Sequence, residues 1–331
     1  MASLETAIHD DVQARRPASS LTLSRVGVTG VEKVIRIRAE GREQLFYAEL
    51  ECYVDLSPDQ KGAHMSRFEE VINEAIDEVV LGEAFKAETL AQHIAERVRD
   101  RQQGARAEVT IAARYPEGKT APASGSPTQE IYTLFGSAVA SELGTRRLVG
   151  VEAHGMTACP CAQELVTARS RERLSAEGFD DDEIERVLRS VPVATHNQRG
   201  IGRLYVGCPE GCTESVEAAT LLRIVESSMS SEIYELMKRS DEIEVVERAH
   251  MHPRFVEDCV REMVRKAAEE FGSLGEGAFV SARQENLETI HKHNVVAECH
   301  GLIADLEGEL AGGPAPRRHM TMREWLEGPA A

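Results

Sequence analysis

The chain of 331 residues lacks any long hydrophobic run. A membrane-spanning helix needs roughly 18 consecutive apolar residues, and no stretch of this sequence approaches that length. The first twenty residues are polar and carry Asp10, Asp11, Arg15 and Arg16, without the apolar segment of a secretory signal peptide. We therefore expect a cytoplasmic protein with no membrane partner and a flexible N-terminus over residues 1–20.

Basic residues are scarce: 38 Lys and Arg stand against 56 Asp and Glu, giving a formal net charge of -18. No basic tract could neutralise a phosphate backbone, so we expect no nucleic-acid partner. Only 7 of the basic residues are lysine. An acid-rich, lysine-poor surface favours a halophilic cytoplasm, because solvated carboxylates keep a protein soluble at high salt. A GC-rich genome that uses arginine codons would explain the same composition.

The 7 cysteines, an odd number, favour free thiols or metal ligands over a disulfide framework. Two of them lie in Cys159-Pro160-Cys161, while His196 and the segment ETIHKH at residues 288–293 supply imidazole and carboxylate. Thiolate with imidazole suits Zn(II) or Fe(II), and an added carboxylate leaves a Lewis-acidic metal that can activate water. The sequence therefore predicts a metallohydrolase.

Hydrophobic periodicity predicts an α+β fold made of two similar passes of secondary structure. In the first pass we expect Ser66 to cap a helix that runs through Val79 and Val80, and Gly104 to end the next helix. A turn at Glu40-Gly41-Arg42 joins the first two strands. The order ββααββ is predicted at residues 31–39, 44–56, 66–80, 88–103, 106–114 and 130–153.

The second pass is expected after an insertion. Residues 154–200 carry the CPC and HNQR motifs. Within this insertion, residues 175–191 are predicted to form one charged, solvated helix. The strands and helices that follow are predicted at residues 202–206, 213–238, 253–271, 277–285 and 290–303. We divide the chain into a flexible segment (1–20), a first unit (21–153), a second unit (154–305) and a loosely ordered tail (306–331).

Six short strings occur along the chain: GAHMSRFEE (62–70), CPCAQE (159–164), HNQRG (196–200), LMKRSDE (236–242), PRFVED (253–258) and ENLETIHKHN (285–294). In this order they resemble the type IB GTP cyclohydrolases, and the insertion resembles their archaeal branch, MptA. The resemblance implies a tandem tunnelling fold of two ββααββ units, assembled as homodimers or homotetramers with active sites between subunits. It implies conversion of GTP to 7,8-dihydroneopterin 2',3'-cyclic phosphate, formate and pyrophosphate, in methanopterin or folate synthesis.

The resemblance also implies roles for individual residues. The expected metal ligands are Cys159, His196, Glu242 and His291, and the expected metal is Fe(II), with Mn(II) or Zn(II) also compatible with these donors. Cys159, Cys161 and His291 are the expected catalytic residues, with His291 as a proton donor to the departing purine nitrogen.

Substrate contacts are expected from one carboxylate and several cations. Guanine presents two adjacent donors that one ionised carboxylate accepts together, and Glu257 has this role by resemblance. Arg199 and Arg239 are the expected phosphate contacts, and three further cations lie inside the motifs: Arg67, Lys238 and Arg254. If residues 290–297 form a strand, His291 and His293 lie on the same face of it. The alternative to a metal-binding or catalytic role is that they are a pair of surface histidines.

Two other functions stay open. Cys208 and Cys212 form a C-x3-C pair that could join Cys159 and Cys161 in a closed structural zinc site, although C-x-C is a poor half of such a site. The chain would then be a zinc-stabilised binding protein. A deazapurine nitrile reductase on the same fold would use a nucleophilic cysteine and NADPH, but the chain supplies more metal-type ligands than that chemistry needs.

Overall fold

A computed structural model describes residues 11–39, 42–78 and 86–328, with side chains omitted for 36–39 and 42–44. Within these ranges the strands form one antiparallel sheet in the order β1-β2-β3-β4-β5-β6-β8-β9, and the short β7 pairs with β5. The strands are β1 (Leu23–Ala39), β2 (Arg42–Leu56), β3 (Ala107–Thr120), β4 (Pro127–Ser141), β5 (Gly144–Ala158), β6 (Asn197–Cys208), β7 (Ser231–Glu232), β8 (Phe279–Leu287) and β9 (Val295–Leu302).

Most helices cover one face of this sheet. They are α1 (Met65–Glu78), α2 (Ala87–Gln102), α3 (Pro160–Ala176), α4 (Asp181–Ser190), α5 (Ala218–Ser227), α6 (Arg239–Met251), α7 (Val256–Phe271), α8 (Ile303–Leu310) and α9 (Met322–Glu327). In the described part of the chain, no helix has the length and apolar character needed to cross a membrane. The expected α+β class is confirmed.

Strict alternation of side chains gives the sheet its two faces. In β2, Phe46, Ala48, Leu50, Cys52 and Val54 are each at most 2% exposed and face the helices. Side chains in between point to the other face, because neighbouring residues of a strand face opposite ways. Burying one large apolar side chain contributes about 1.5–3 kcal/mol, so this row alone fixes which face takes the helices.

The ends of the first two helices differ in detail from the prediction. The helix α1 begins at Met65, so Ser66 lies inside it and is not its N-cap. The predicted members Val79 and Val80 lie outside the described residues, as do Glu40 and Gly41 of the predicted turn. The helix α2 ends at Gln102 because Gln103 adopts a left-handed φ of 58°. At Gly104 an added Cβ would lie 2.2 Å from Val54 Cγ2, so only glycine fits beside β2.

The second half has a similar order, with β5 and β6, then the three helices α5 to α7 where the first half has two, and then β8 and β9. The predicted apolar stripe of α7 is confirmed, since Val256, Val260, Met263, Val264 and Ala267 are all buried. The predicted boundary between residues 153 and 154 falls inside β5, which pairs with β4 on one side and β6 on the other. One continuous sheet therefore joins the two halves of the chain.

The insertion contains two helices, where one helix at 175–191 was predicted. Asp180 precedes α4, and its carboxylate accepts a hydrogen bond from Glu183 N at 2.8 Å. The Glu183 carboxylate accepts in return from Asp180 N at 3.1 Å. This reciprocal capping box makes the acidic run a helix start, so the predicted helix is interrupted there. The preceding helix α3 buries none of its side chains, and its sequence therefore has no apolar stripe.

The predicted helix at 213–238 is also too long. The chain forms α5 and then the short strand β7, and the separate helix α6 was not predicted. Its apolar residues Ile243 and Val246 are 60% and 50% exposed, while the buried positions are Asp241, Val245 and Ala249. Because a charged residue occupies the buried side and apolar residues the outer one, periodicity could not reveal this helix.

Within the described residues, parts of both terminal segments contact the rest of the fold. Near the N-terminus, Gln13 O accepts from Lys61 N at 3.0 Å and from Gly62 N at 3.2 Å. At the C-terminus, Trp325 of α9 is 1% exposed and stacks on Phe279, with 5.5 Å between ring centroids. Its Nε1 donates to Gly277 O at 2.9 Å. The tail thus packs on the sheet face opposite α1 and α2.

Replacement of Trp325 by alanine should lower the free energy of unfolding by about 3 kcal/mol or more, because the change removes a large buried ring and leaves a cavity. Urea denaturation followed by circular dichroism measures the loss. Leu143→Ala is the control, since Leu143 is 65% exposed and should change stability little. Equal stability of Trp325→Ala and the unmodified chain would show that the tail does not contribute to the fold.

Candidate active site

The β5–β6 ladder brings the CPC and HNQR motifs together. Ala158, the last residue of β5, pairs with Asn197, the first residue of β6. Beyond this pair, Cys159 N donates to His196 O at 3.1 Å, and Thr195 Oγ1 donates to Cys159 O at 2.8 Å. Cysteine and histidine are therefore neighbours across the strand ends, although the insertion separates them in sequence.

Cys159 is the N-cap of α3, and its sulfur accepts from Ala162 N at 3.5 Å. Pro160 starts the helix, where its missing N–H costs nothing and its fixed φ favours the first turn. The first turn of a helix presents N–H donors, which favour a negative group at this point. Gln163 fixes the helix by donating to Val193 O at 2.9 Å and to His250 O at 2.6 Å.

A hydrogen-bond chain sets the orientation of the His196 ring. Gln198 Nε2 donates to Thr157 Oγ1 at 3.0 Å, which turns Gln198 Oε1 toward His196 Nδ1, also at 3.0 Å. Since an amide oxygen only accepts, Nδ1 carries the proton and Nε2 keeps its lone pair. The ring is thus held in the tautomer that a metal ligand requires.

The end of β8 adds a carboxylate to this corner. Leu287 pairs with Arg199, so the next residue, Glu288, reaches His196, with 3.6 Å between its Oε2 and His196 Nδ1. The Glu288 side chain is 6% exposed. Within the described residues its buried Oε2 has no hydrogen-bond partner. This carboxylate lies on the Nδ1 side of the ring, away from Nε2, so it can support His196 as a ligand but does not join Cys159 as a metal donor.

The PRFVED motif reaches the same corner. Arg254 N donates to Ala158 O at 3.0 Å, and its Nη1 donates to Ser228 O at 3.0 Å. These bonds place the start of α7 beside the end of β5. Glu257, the predicted guanine contact, is exposed in the first turn of α7, and Cys161 is exposed in the first turn of α3.

The two histidines of the last motif lie in a loop. The predicted strand at 290–297 is wrong in its first half, because β9 begins only at Val295. His291 and His293 are exposed, and their rings stack with centroids 5.2 Å apart. Thr289 Oγ1 donates to Asn197 O at 3.1 Å, which ties this loop to the start of β6. His291 therefore stands at the rim of the corner.

The KRSDE motif forms the first turn of α6. Arg239 and Glu242 are both exposed there. Between them Asp241 is fully buried and accepts hydrogen bonds from Ser124 and Lys238. Burial raises its pKa, but these hydrogen bonds outweigh that effect and hold the pKa below its usual range. Asp241 was not among the predicted site residues, and Glu288 had no predicted role of its own.

The predicted metal-ligand set is not assembled in a single chain. Across residues 11–39, 42–78 and 86–328, no three or more His, Cys, Asp and Glu side chains are grouped to hold a metal. Cys159 and His196 are adjacent, with Glu288 beside His196, whereas Glu242 and His291 are at exposed positions on separate elements.

Arg199 faces away from this corner. Its neighbours Gln198 and Gly200 point toward the helices, so Arg199 points to the opposite face of the sheet. There it lines a cavity of about 440 Å³ together with Arg114 and His154. Burial lowers the pKa of His154, the Glu152 carboxylate opposes that effect, and the charges of Arg199 and Arg114 add to it. The predicted phosphate contact Arg199 is thus not on the same face as Cys159.

The four-cysteine zinc site is wrong for a single chain. Cys208 ends β6 and pairs with Arg147, whereas Cys159 lies beyond the other end of the same ladder, about 40 Å away at the rise of a strand. Burial raises the pKa of Cys208 to about 12, and the neighbouring Cys212 adds to that effect. Burial also raises the pKa of Cys52 and Cys259 to about 12.

The fold class is also found among solved structures. A hyper-thermostable mutant of AgUricase superposes with a TM-score of 0.52 at 8% sequence identity, over 85% of this chain and 92% of that one. At this identity the likeness concerns the fold alone, and it supports a tunnelling-type arrangement of sheet and helices.

The sequence defines the family more narrowly. A family model described as type I GTP cyclohydrolase folE2 matches residues 10–297, so the chain belongs to the type I GTP cyclohydrolase family. GTP cyclohydrolase MptA of Methanococcus aeolicus is 40% identical over 307 residues, covering 91% of this chain and 99% of that protein. GTP cyclohydrolase MptA of Methanocaldococcus jannaschii is 40% identical over 306 residues, covering 91% and 97%. The expected family is confirmed.

Replacement of Glu288 by glutamine should weaken divalent-metal binding about tenfold, because a carboxylate beside a ligating imidazole orients the ring and raises its basicity. Titration of the metal-free protein with Co(II), followed by absorption, measures the affinity. Glu298→Gln is the control, since Glu298 lies in β9 and pairs with Arg283. Unchanged Co(II) affinity of Glu288→Gln would show that this carboxylate does not act on the site.

Proposed function

We propose that the chain is a metal-dependent GTP cyclohydrolase that forms 7,8-dihydroneopterin 2',3'-cyclic phosphate, formate and pyrophosphate. The product would enter pterin synthesis, toward methanopterin or folate. The observation that carries the proposal is the corner where β5 and β8 end and β6 begins, with Cys159, His196 and Glu288 each one residue beyond a strand. Family membership supports the reaction class.

The donor set at this corner explains why a metal is proposed. Cys159 and His196 would hold it, and Glu242 and His291 are proposed to complete its ligands. A bound divalent cation supplies hydroxide near neutral pH, which opening the imidazole ring of a purine requires. We propose Fe(II) as the native metal, with Mn(II) or Zn(II) compatible with the same thiolate, imidazole and carboxylate donors.

The protein side chains have separate tasks in this proposal. Glu257 accepts from the two adjacent donors of guanine and orients the base. Arg239, in the first turn of α6, is a phosphate contact. Cys161 and His291 stand beside the reacting purine, where His291 donates a proton to the departing nitrogen. Arg199 can serve the substrate only from the other face of the sheet.

We also propose that the site is completed by a second copy of the chain, as a homodimer or homotetramer. Apolar side chains lie uncovered on α3, on α6 and at the residue before α7: Leu165 at 68% exposure, Ile243 at 60%, Val246 at 50%, Met251 at 51% and Phe255 at 43%. Monomeric proteins rarely leave such a group of apolar side chains exposed together. A partner covering them would bring further groups to Glu242, Glu257 and His291.

The activity itself is tested with protein purified without oxygen. Supplied with Fe(II), it should release formate and pyrophosphate from GTP in equal amounts, and a chelator should stop both. Purified in air it should be nearly inactive, because Fe(II) and its cysteine ligand are exposed to oxidation, and should recover with thiol reductant and Fe(II). Formate release at an undiminished rate after chelation would refute the proposal.

Replacement of Cys159 by alanine should abolish bound metal and GTP opening together, because an incomplete coordination sphere holds the metal poorly. Metal analysis and formate release measure the two effects on the same sample. Cys299→Ala is the matched control, since this free thiol lies in β9 and burial raises its pKa. Full metal occupancy and normal turnover in Cys159→Ala would contradict the assignment.

Replacement of Glu257 by glutamine should lower kcat/KM by an amount that corresponds to about 3 kcal/mol of lost transition-state stabilisation. The reason is that the amide offers a donor where guanine also donates. Metal content should stay normal, since Glu257 is not among the proposed ligands. Steady-state kinetics with GTP measures the change. Glu270→Gln is the control at the far end of the same helix. Wild-type kinetics in Glu257→Gln would mean that another residue holds the base.

A further inference from the structure

Asp241 is a buried carboxylate with four hydrogen bonds that the proposed chemistry does not use. It is 0% exposed in the first turn of α6. Its Oδ1 accepts from Ala123 N at 2.9 Å and from Ser124 N at 2.7 Å. Its Oδ2 accepts from Ser124 Oγ at 2.7 Å and from Lys238 N at 2.8 Å. Both oxygens are therefore satisfied by short hydrogen bonds.

Three of the four hydrogen bonds come from the other half of the chain. Ala123 and Ser124 lie at the tip of the β3–β4 hairpin, which belongs to the first ββααββ unit. The tip is a tight turn, in which Gly125 adopts a left-handed φ of 66° and Ala121 N donates to Ser126 O at 2.9 Å. A residue that only capped its own helix would need the bond from Lys238 N alone.

Further polar contacts hold the same hairpin against the segment that leads into α6. Lys119 Nζ lies 2.8 Å from Glu226 Oε1 and 3.1 Å from Glu232 Oε2. Glu130 Oε1 accepts from Glu235 N at 2.8 Å. The Lys119 side chain is 13% exposed, so this pairing is shielded from water. The β3–β4 hairpin is therefore bonded to residues 226–241 at three places: through Lys119, through Glu130 and through the turn that bonds Asp241.

These contacts hold the first turn of α6, which carries two of the proposed site residues. Arg239 and Glu242 flank Asp241 on α6, and both are exposed, so their own side chains do little to fix their positions. We propose that Asp241 is a positioning residue, which clamps the first turn of α6 to the β3–β4 hairpin and so holds Glu242 and Arg239 in place for metal and phosphate. The inference rests on the function proposed above.

The substitution Asp241→Asn tests the clamp, because it exchanges the carboxylate for an amide of nearly the same volume. The amide turns one acceptor into a donor that faces N–H groups, so hydrogen exchange of the backbone amides at 239–242 should accelerate. Affinity for Co(II) should fall about tenfold or more, as when supporting groups around metal ligands are removed. KM for GTP should rise as well, because Arg239 moves with Glu242.

A merely structural role would lower the unfolding temperature and leave the folded protein with normal Co(II) affinity and KM. All measurements are therefore made where circular dichroism shows full folding. Asp180→Asn is the matched control. Asp180 caps α4 in the insertion, and its carboxylate accepts from Glu183 N rather than from the hairpin. It should leave exchange at 239–242, Co(II) affinity and KM unchanged.

If Asp241→Asn fails to fold, Ser124→Ala carries the test, since it removes one hydrogen bond from the hairpin side and should shift the same three quantities in the same direction by less. A folded variant with wild-type exchange, Co(II) affinity and KM overturns the inference. If the wild-type chain itself binds no Co(II), the proposed function fails and this inference fails with it. If the wild-type chain binds Co(II) and the variants behave as wild type, the inference alone fails.

Discussion

The antiparallel register of β5 against β6 is the constraint on which the candidate site depends. It places Cys159 beside His196 and, through the β6–β8 register, places Glu288 against the same imidazole. A shift of one residue in a strand would turn its side chains to the opposite face of the sheet. The corner is therefore specified by the hydrophobic rows that lock the register, in particular the buried Leu204 and Val206 of β6 and Ala282 of β8.

Buried polar contacts then decide how the loops and helices around that corner sit. Gln198 orients His196, Gln163 ties α3 to the end of α6, and Asp241 joins α6 to a hairpin of the other unit. Each contact satisfies groups that would be costly to bury alone, so each specifies one arrangement strongly. The proposed site residues Glu242, Glu257 and His291 remain exposed around this rigid support, which is consistent with a site that a partner subunit completes.

Sequence reasoning recovered the elements whose apolar residues face inward in a regular period. The hairpin of β1 and β2, the helix α2 and the stripe of α7 are examples. It failed for α3 and α6, where no regular apolar stripe is buried, and for the C-terminal tail, where a single Trp325 holds the segment. The motifs located Cys159 and His196, but the face of Arg199 and the burial of Asp241 depend on register and tertiary contacts, which no local pattern encodes.

The position of the metal tests the central claim most directly. Crystals of the protein grown with Co(II) would be measured at the cobalt absorption edge, and the anomalous difference map would locate the ion. The account predicts a peak about 2.3 Å from Cys159 Sγ and about 2.1 Å from His196 Nε2. A peak at Cys208 and Cys212, or a fully loaded crystal with no peak near Cys159, would contradict it.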